Sequence, residues 1–479
     1  MSTIQRIAKN TSILSISQII SIILIFFYTI YIARFLSAEG FGILSFALAF
    51  SGIFSILADL GINTLIVREV ARDKSLAKKY LENGLTIKII LSFFTLLFIA
   101  IFINLLGYPQ ETINVVYFIS ISTIITSVFG IFYSIFQANE KMEYQSLNQI
   151  LNSILMFLGV IIAIKLGFGV VGFSFLYFIS SLITLFSIFF IYIWKFSIVK
   201  IDIDLNFWKL IMKEALPYGL SGIFVMIYYW IDSVMLSIIA GNEVVGWYNA
   251  AYKIIYIFLS FNTLFIISIF PVMSNFYKTS HRSLKFTFER SFKYLLIISI
   301  PITIVTTLLA NRIILMLYGP DYIPSIIALQ ILIWTLIFMF LNGIAGNLLG
   351  SVNKQPIVTK ITGFGAILNI LLNILLIPKF SYIGASFATV LTEFILMPII
   401  IYVMWKNGYT TLNPLIKDLP KIIFSSLVMT FFVIYLNSLN LFLVCLVASI
   451  TYFGTIFLTK TLDDTDMQIL KSILRKDRS

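Results

Sequence analysis

Residues 13–33 read ILSISQIISIILIFFYTIYIA, a stretch without a single charge, preceded by Arg6 and Lys9 and closed by Arg34. At about 1.5 Å per residue, such a helix is roughly 30 Å long, the thickness of a bilayer's hydrocarbon core. A secretory signal has a shorter apolar core, about 7–15 residues, and then a small-residue cleavage site. The stretch therefore reads as a first transmembrane helix. Working outward, similar runs recur at approximately 11–33, 41–63, 84–107, 112–135, 147–166, 169–194, 215–240, 247–273, 292–317, 323–349, 357–378, 382–405, 420–437 and 440–459. Lipid satisfies no backbone polar group, so runs of this length must be helical, and they lack the alternation of barrel strands. Composition agrees: the chain of 479 residues is 60% hydrophobic and 11% charged, where a soluble domain is roughly 25% charged. The expected fold is an all-α polytopic membrane protein with about 14 transmembrane helices.

The net charge is +12. With the N-terminus inside, 28 of the 33 Lys and Arg fall in inside segments; Arg34, Lys165, Arg312 and Lys379 lie outside, and Lys253 lies within a helix. That bias predicts both termini in the cytoplasm of a multi-pass cell-membrane protein. No basic face with aromatic platforms suggests nucleic acid. One cysteine, Cys445, and one histidine, His281 in a basic loop, point to no disulfide, no metal site and no cofactor. No nucleophile elbow or phosphate-cradling glycine loop points to an enzyme. The run Asp463-Asp464-Thr465-Asp466 reads as a solvated helix start.

A weak repeat organises the chain. Glu39-Gly40-Phe41-Gly42 follows the first helix and Glu243-Val244-Val245-Gly246 follows the seventh, 204 residues on. Gly172 opens the sixth helix and Gly384, 212 residues later, the twelfth. Six helices per copy make the copies parallel, as in transporters built from two lobes. The expected organisation is a six-helix lobe at 1–200, a second at 201–410, and two further helices with a tail at 411–479.

An ionisable group inside a membrane helix is a functional candidate by default. Asp232 and Lys253 sit at similar depths in the seventh and eighth helices and could meet, either as a pair that binds an anionic headgroup or as a plain ion pair. Glu393 lies near the midplane of the twelfth helix and is a candidate proton site. Asp59 and Lys88 lie near inner helix ends, where they could pair or snorkel. Arg34, at the outer end of the first helix, suits phosphate or an interfacial anchor. Tyr228, Tyr229 and Trp230 share a helix with Asp232, and aromatic faces stack on sugar rings. Asn148 with Asn152, and Asn369 with Asn373, form i, i+4 polar faces that point toward another helix or a wet cavity.

The chain resembles the Wzx-type polysaccharide flippases of the multidrug/oligosaccharidyl-lipid/polysaccharide exporter superfamily. Ala33-Arg34-Phe35-Leu36-Ser37-Ala38-Glu39-Gly40-Phe41-Gly42, Ala58-Asp59-Leu60-Gly61-Ile62, Arg68-Glu69, Asp232-Ser233-Val234-Met235-Leu236 and Val245-Gly246-Trp247-Tyr248-Asn249-Ala250-Ala251-Tyr252-Lys253 carry the resemblance. It implies a V-shaped pair of lobes that moves an isoprenoid diphosphate-linked oligosaccharide to the outer leaflet by alternating access, alongside polysaccharide assembly proteins. It implies a cationic cavity, for which Arg34 and Lys253 are the best matches, with Asp232 beside them. Proton or sodium coupling is typical of the superfamily, with Asp59 and Glu393 as candidates here. The rival within the superfamily is a drug exporter, which usually carries an acidic residue in the first helix; 11–33 has none. The rival of another class is a membrane glycosyltransferase or polymerase, which needs larger, charged outer loops.

Overall fold

The structure is a computed structural model that describes residues 3–196, 198, 202–411, 413 and 416–468. The C-terminal tail 469–479, with Lys471, Arg475, Lys476 and Arg478, lies outside the described residues. The described elements are helical: α1 (Thr3–Ser55), α2 (Ile62–Arg72), α3 (Ala77–Leu105), α4 (Gln110–Ala138), α5 (Met142–Lys165), α6 (Val170–Lys195), α7 (Leu205–Ala240), α8 (Asn242–Thr279), α9 (His281–Leu317), α10 (Ser325–Leu332), α11 (Thr335–Ser351), α12 (Gln355–Lys406), α13 (Leu419–Tyr435) and α14 (Leu441–Leu458), with three short 3-10 turns. Among the described residues, eleven stretches are long and apolar enough to cross a membrane. Two of them, α1 and α12, fold back at Ser37 and Ser381 and supply two crossings each. With the 17-residue apolar α13, this reproduces the crossings expected from hydropathy.

The reversals expose the repeat in the backbone. Ser37 has φ 59° and Gly241 φ 93°, and they are 204 residues apart, the spacing that separates Glu39 from Glu243. Each copy thus places a left-handed residue at the same register, where the chain turns from one crossing to the next. Gly167 (φ 69°) and Ser381 (φ 53°) follow the fifth and eleventh crossings, although their spacing of 214 residues is two more than that of Gly172 and Gly384. Glycine adopts this conformation without strain; serine does so at a cost.

The chain divides into two compact units, 1–253 with 318–322 and 362–388, and 254–317 with 323–361 and 389–479. In the first, α2 was missed by hydropathy, which read this stretch as a charged loop. Ile62, Leu65, Ile66 and Val70 repeat at helical spacing and are buried, which makes α2 amphipathic. They pack on Tyr80 and Leu81 of α3, Ile131 and Phe132 of α4, Tyr192 of α6, and Ile211 and Ala215 of α7. The Asp59 carboxylate accepts from the Gly61 and Asn63 N–H groups (3.2 and 3.4 Å) and so caps the helix start.

In the second unit α9 is the axis. The Tyr452 hydroxyl of α14 donates to Ile297 O (2.9 Å), and Arg312 donates to Asn437 O and Leu439 O (2.8 and 2.7 Å). The Asp463–Asp466 run starts a helix, and Asp463, Asp464 and Thr465 are exposed as expected, but its last residue is not solvated. Asp466 is 0% exposed and accepts from Arg290, Lys293 and Tyr294 at 2.8, 2.8 and 2.6 Å. Asp463 and Asp466 also accept from each other's N–H (3.0 Å each), a reciprocal cap. Partial burial opposes its charge, yet the Asp466 N–H and the Arg290 guanidinium hold the Asp463 carboxyl down at about 2. A depressed carboxyl stabilises the fold above its unfolded pKa, about 3.9, and that contribution is lost as pH falls through the folded value. The melting temperature of detergent-purified protein is therefore expected to fall as pH drops from about 4 to about 2. Arg290→Ala should flatten that part of the profile.

Candidate functional site

Asp232 lies on α7 within a polar knot of the first unit. It is 6% exposed. Oδ2 accepts from the Tyr248 hydroxyl of α8 (2.7 Å), and Oδ1 accepts from Asn373 Nδ2 of α12. Asn373 Nδ2 also donates to Asn369 Oδ1 (3.0 Å). Asn373 Oδ1 is buried and has no hydrogen-bond partner. The i, i+4 face of Asn369 and Asn373 is thus turned toward the one buried carboxylate of α7. Below the knot in sequence, Asn249 Nδ2 donates to Ser233 Oγ (3.0 Å).

The expected meeting of Asp232 and Lys253 does not occur. The carboxylate turns to Tyr248, one turn nearer the start of α8, and to Asn373. Among the described residues Lys253 has neither an ion pair nor a hydrogen bond. Its neighbour in the chain, Tyr252, stacks on Tyr248 (centroids 6.0 Å) and meets Tyr229 edge-on (6.0 Å), and Tyr229 meets Trp230 edge-on (4.8 Å). An ammonium without a paired acid offers its charge to an incoming anion.

Two charge types therefore stand apart. The Asp232 knot gathers a carboxylate and two carboxamide oxygens from α7 and α12. Oxygen ligands of this kind suit a hard cation, and a carboxylate in low dielectric requires a proton or a cation partner. Lys253 suits a phosphate.

The remaining candidates are placed as follows. Asp59 receives the fully buried ammonium of Lys88 (2.8 Å), which also donates to Asn63 Oδ1 (3.0 Å) and Ser127 O. Arg34 is exposed on the first arm of α1, beside Ala33, whose carbonyl accepts from the Tyr322 hydroxyl (2.8 Å). In the second unit Glu393 is 5% exposed and accepts from Asn342 Nδ2 at Oε2 (2.6 Å) and at its own carbonyl (3.2 Å). Asn148 and Asn152 reach neighbouring helices, at Tyr133 (2.8 Å) and Ser180 (2.7 Å).

A sequence model described as "Polysaccharide biosynthesis protein" matches residues 7–277, more than half of the chain. The chain belongs to the polysaccharide biosynthesis protein family. A second model, MatE, matches residues 217–375 of this family member. An uncharacterized membrane protein of Methanocaldococcus jannaschii is 31% identical over 220 residues, 44% of this chain and 41% of that protein. The capsular polysaccharide biosynthesis protein CapF of Staphylococcus aureus is 24% identical over 395 residues, 81% of this chain and 96% of CapF. A "probable low-salt glycan biosynthesis flippase", Agl15 of Haloferax volcanii, is 24% identical over 38% of each chain. Among solved structures, the lipid II flippase MurJ in an inward closed conformation superposes with a TM-score of 0.76 at 18% identity, covering 92% of this chain and 97% of that one. An inward-facing multidrug resistance MATE family transporter gives 0.67 at 17%, covering 82% and 95%. At these identities the likeness is one of fold.

Sequence reasoning about this polysaccharide biosynthesis protein missed Tyr248 as a partner of Asp232. A tyrosine in a helix rich in tyrosine carries no signal of its own. Asn369 and Asn373 did carry one, because carboxamides one turn apart are costly against lipid.

Proposed function

We propose that the protein flips an isoprenoid diphosphate-linked oligosaccharide from the inner to the outer leaflet of the cell membrane by alternating access. Its termini would be cytoplasmic, and it would work beside polysaccharide assembly proteins. The observation that carries this reading is Lys253: a cation on a membrane helix with no counter-ion among the described residues, next in the chain to Tyr252, which meets Tyr229 edge-on (6.0 Å). A diphosphate supplies the missing charge and a saccharide can lie on the rings. The likeness to Agl15 and MurJ, both named as flippases, and to CapF, a capsular polysaccharide biosynthesis protein, supports it. Arg34 is the second proposed phosphate contact.

The counter-ion is proposed to be a proton or sodium at the Asp232–Asn369–Asn373 knot, not at Asp59, whose charge Lys88 already balances. Glu393 is the second proton candidate. The MatE match supports a second reading, a cation-coupled exporter of small molecules.

The test is a flipping assay in proteoliposomes with defined lipid-linked oligosaccharides. Lys253→Ala should lower flipping about tenfold, the scale of one charged hydrogen bond, at unchanged folded yield, and Lys253→Arg should keep most of it. Wild-type protein that flips none of several such lipids yet exports organic cations would replace this reading with the second. Labelling of loop cysteines in sealed vesicles checks the orientation.

A further inference from the structure

In the second unit, the start of α9, the stretch just before α13 and the turn after α14 meet around one cavity of about 610 Å³. Its lining residues lie within about two turns of the ends of the apolar runs 292–317, 420–437 and 440–459. That is the depth at which lipid headgroups sit.

Most of the charge there closes on itself. Arg290 bonds Asp463 and Asp466 (2.6 and 2.8 Å), Lys293 bonds Asp418 and Asp466 (3.0 and 2.8 Å), and Lys421 approaches Asp418 (3.9 Å). Three cations thus balance three acids. Two lining groups stay outside this network: Lys417 and Glu289 have no ion pair among the described residues. The Thr410 hydroxyl, the Thr411 N–H and the Thr411 hydroxyl donate to Glu289, all to Oε1 and all long, at 3.3, 3.3 and 3.4 Å. Exposed Phe286 and Ile416 also line the cavity. What remains is one cation, one carboxylate and an apolar rim. The complementary ligand carries one anion, one ammonium and an apolar chain.

We propose that this cavity binds a zwitterionic phospholipid: the phosphate meets Lys417, a primary ammonium donates to the second oxygen of Glu289, and the acyl chains leave over Phe286 and Ile416. The site goes beyond flipping and does not rest on it. A purely anionic lipid would satisfy Lys417 and leave Glu289 unpaired. A trimethylammonium headgroup carries the charge but has no N–H to donate, and hydrogen bonds between charged groups are the strong ones. A bound headgroup would touch the α9 end and the segments flanking α13 and α14 at once, so it should stabilise the fold by mass action.

The test uses the intact chain in detergent, with lipid retention read by native mass spectrometry. Phosphatidylethanolamine should be retained about fivefold over phosphatidylglycerol or phosphatidylcholine, the scale of one hydrogen bond, and should raise the melting temperature. Glu289→Gln should erase the preference over phosphatidylglycerol. Lys417→Ala should lower phosphatidylethanolamine retention by a similar factor, and Lys417→Arg should keep it. Both side chains stand outside the ion network, so melting temperatures without lipid should match the wild type. Equal retention of the three lipids, or variants that hold phosphatidylethanolamine as the wild type does, overturns the proposal. Water-soluble phosphoethanolamine is the control for a free ligand: if it stabilises the protein as much as the lipid does, the lipid assignment falls. Selective retention through Glu289 and Lys417 in a protein that flips no lipid-linked oligosaccharide would remove the substrate reading and uphold this site.

Discussion

Asp232→Asn is expected to lower flipping more than tenfold and to abolish its dependence on a proton or sodium gradient, at near-normal folded yield. The asparagine keeps a carbonyl oxygen for the Tyr248 hydroxyl, removes the charge, and replaces the oxygen that accepts from Asn373 by an NH2 group, which Asn373 can meet by turning its unpartnered Oδ1 toward it. A buried carboxylate is neutralised by a proton or a cation, and the uncharged side chain needs neither. A loss of about 1.4 kcal/mol in driving force is already tenfold. Tyr248→Phe serves as control, since it removes one hydrogen bond and keeps the charge; it should cost far less. Full activity of Asp232→Asn at normal yield would remove Asp232 from the mechanism.

Lys88→Ala is expected to give the largest loss of stability. Lys88 is 0% exposed and its ammonium joins Asp59, Asn63 and the Ser127 carbonyl. Removing one partner of a buried pair strands the other, at about 3–5 kcal/mol. Asp59 is 19% exposed in its side chain, so the lower end of that range is expected. The double variant Asp59→Asn, Lys88→Met should recover much of the loss, because it strands no charge. Melting temperatures in one detergent decide the matter: a double variant less stable than Lys88→Ala would contradict the argument.

The crossings were legible because lipid leaves one backbone solution, and residues 13–33 show it without help from context. The repeat was legible only as Glu39/Glu243 and Gly172/Gly384; the left-handed Ser37 and Gly241 had to be seen in the backbone. α2 was hidden because Arg68, Arg72 and Lys74 dominate a hydropathy average, while its buried stripe of Ile62, Leu65, Ile66 and Val70 has helical period. The site was half legible. Charge inside a span marked Asp232 and Lys253, and turn spacing marked Asn369 with Asn373. Depth along two helices could not decide their pairing, because it leaves out rotation about each axis. That rotation turns Asp232 toward Asn373 instead of Lys253. Asp466 was misread for a related reason: an acidic run after the last span looks solvated unless the Arg290, Lys293 and Tyr294 side of α9 is known to face it.

The single-residue reversals at Ser37 and Ser381 also bear on how the chain is built. Each apolar arm satisfies its own backbone as a helix, and two arms joined without slack enter the membrane as one hairpin. A peptide tag spliced into either bend would uncouple the arms during synthesis, long before any transport could be measured.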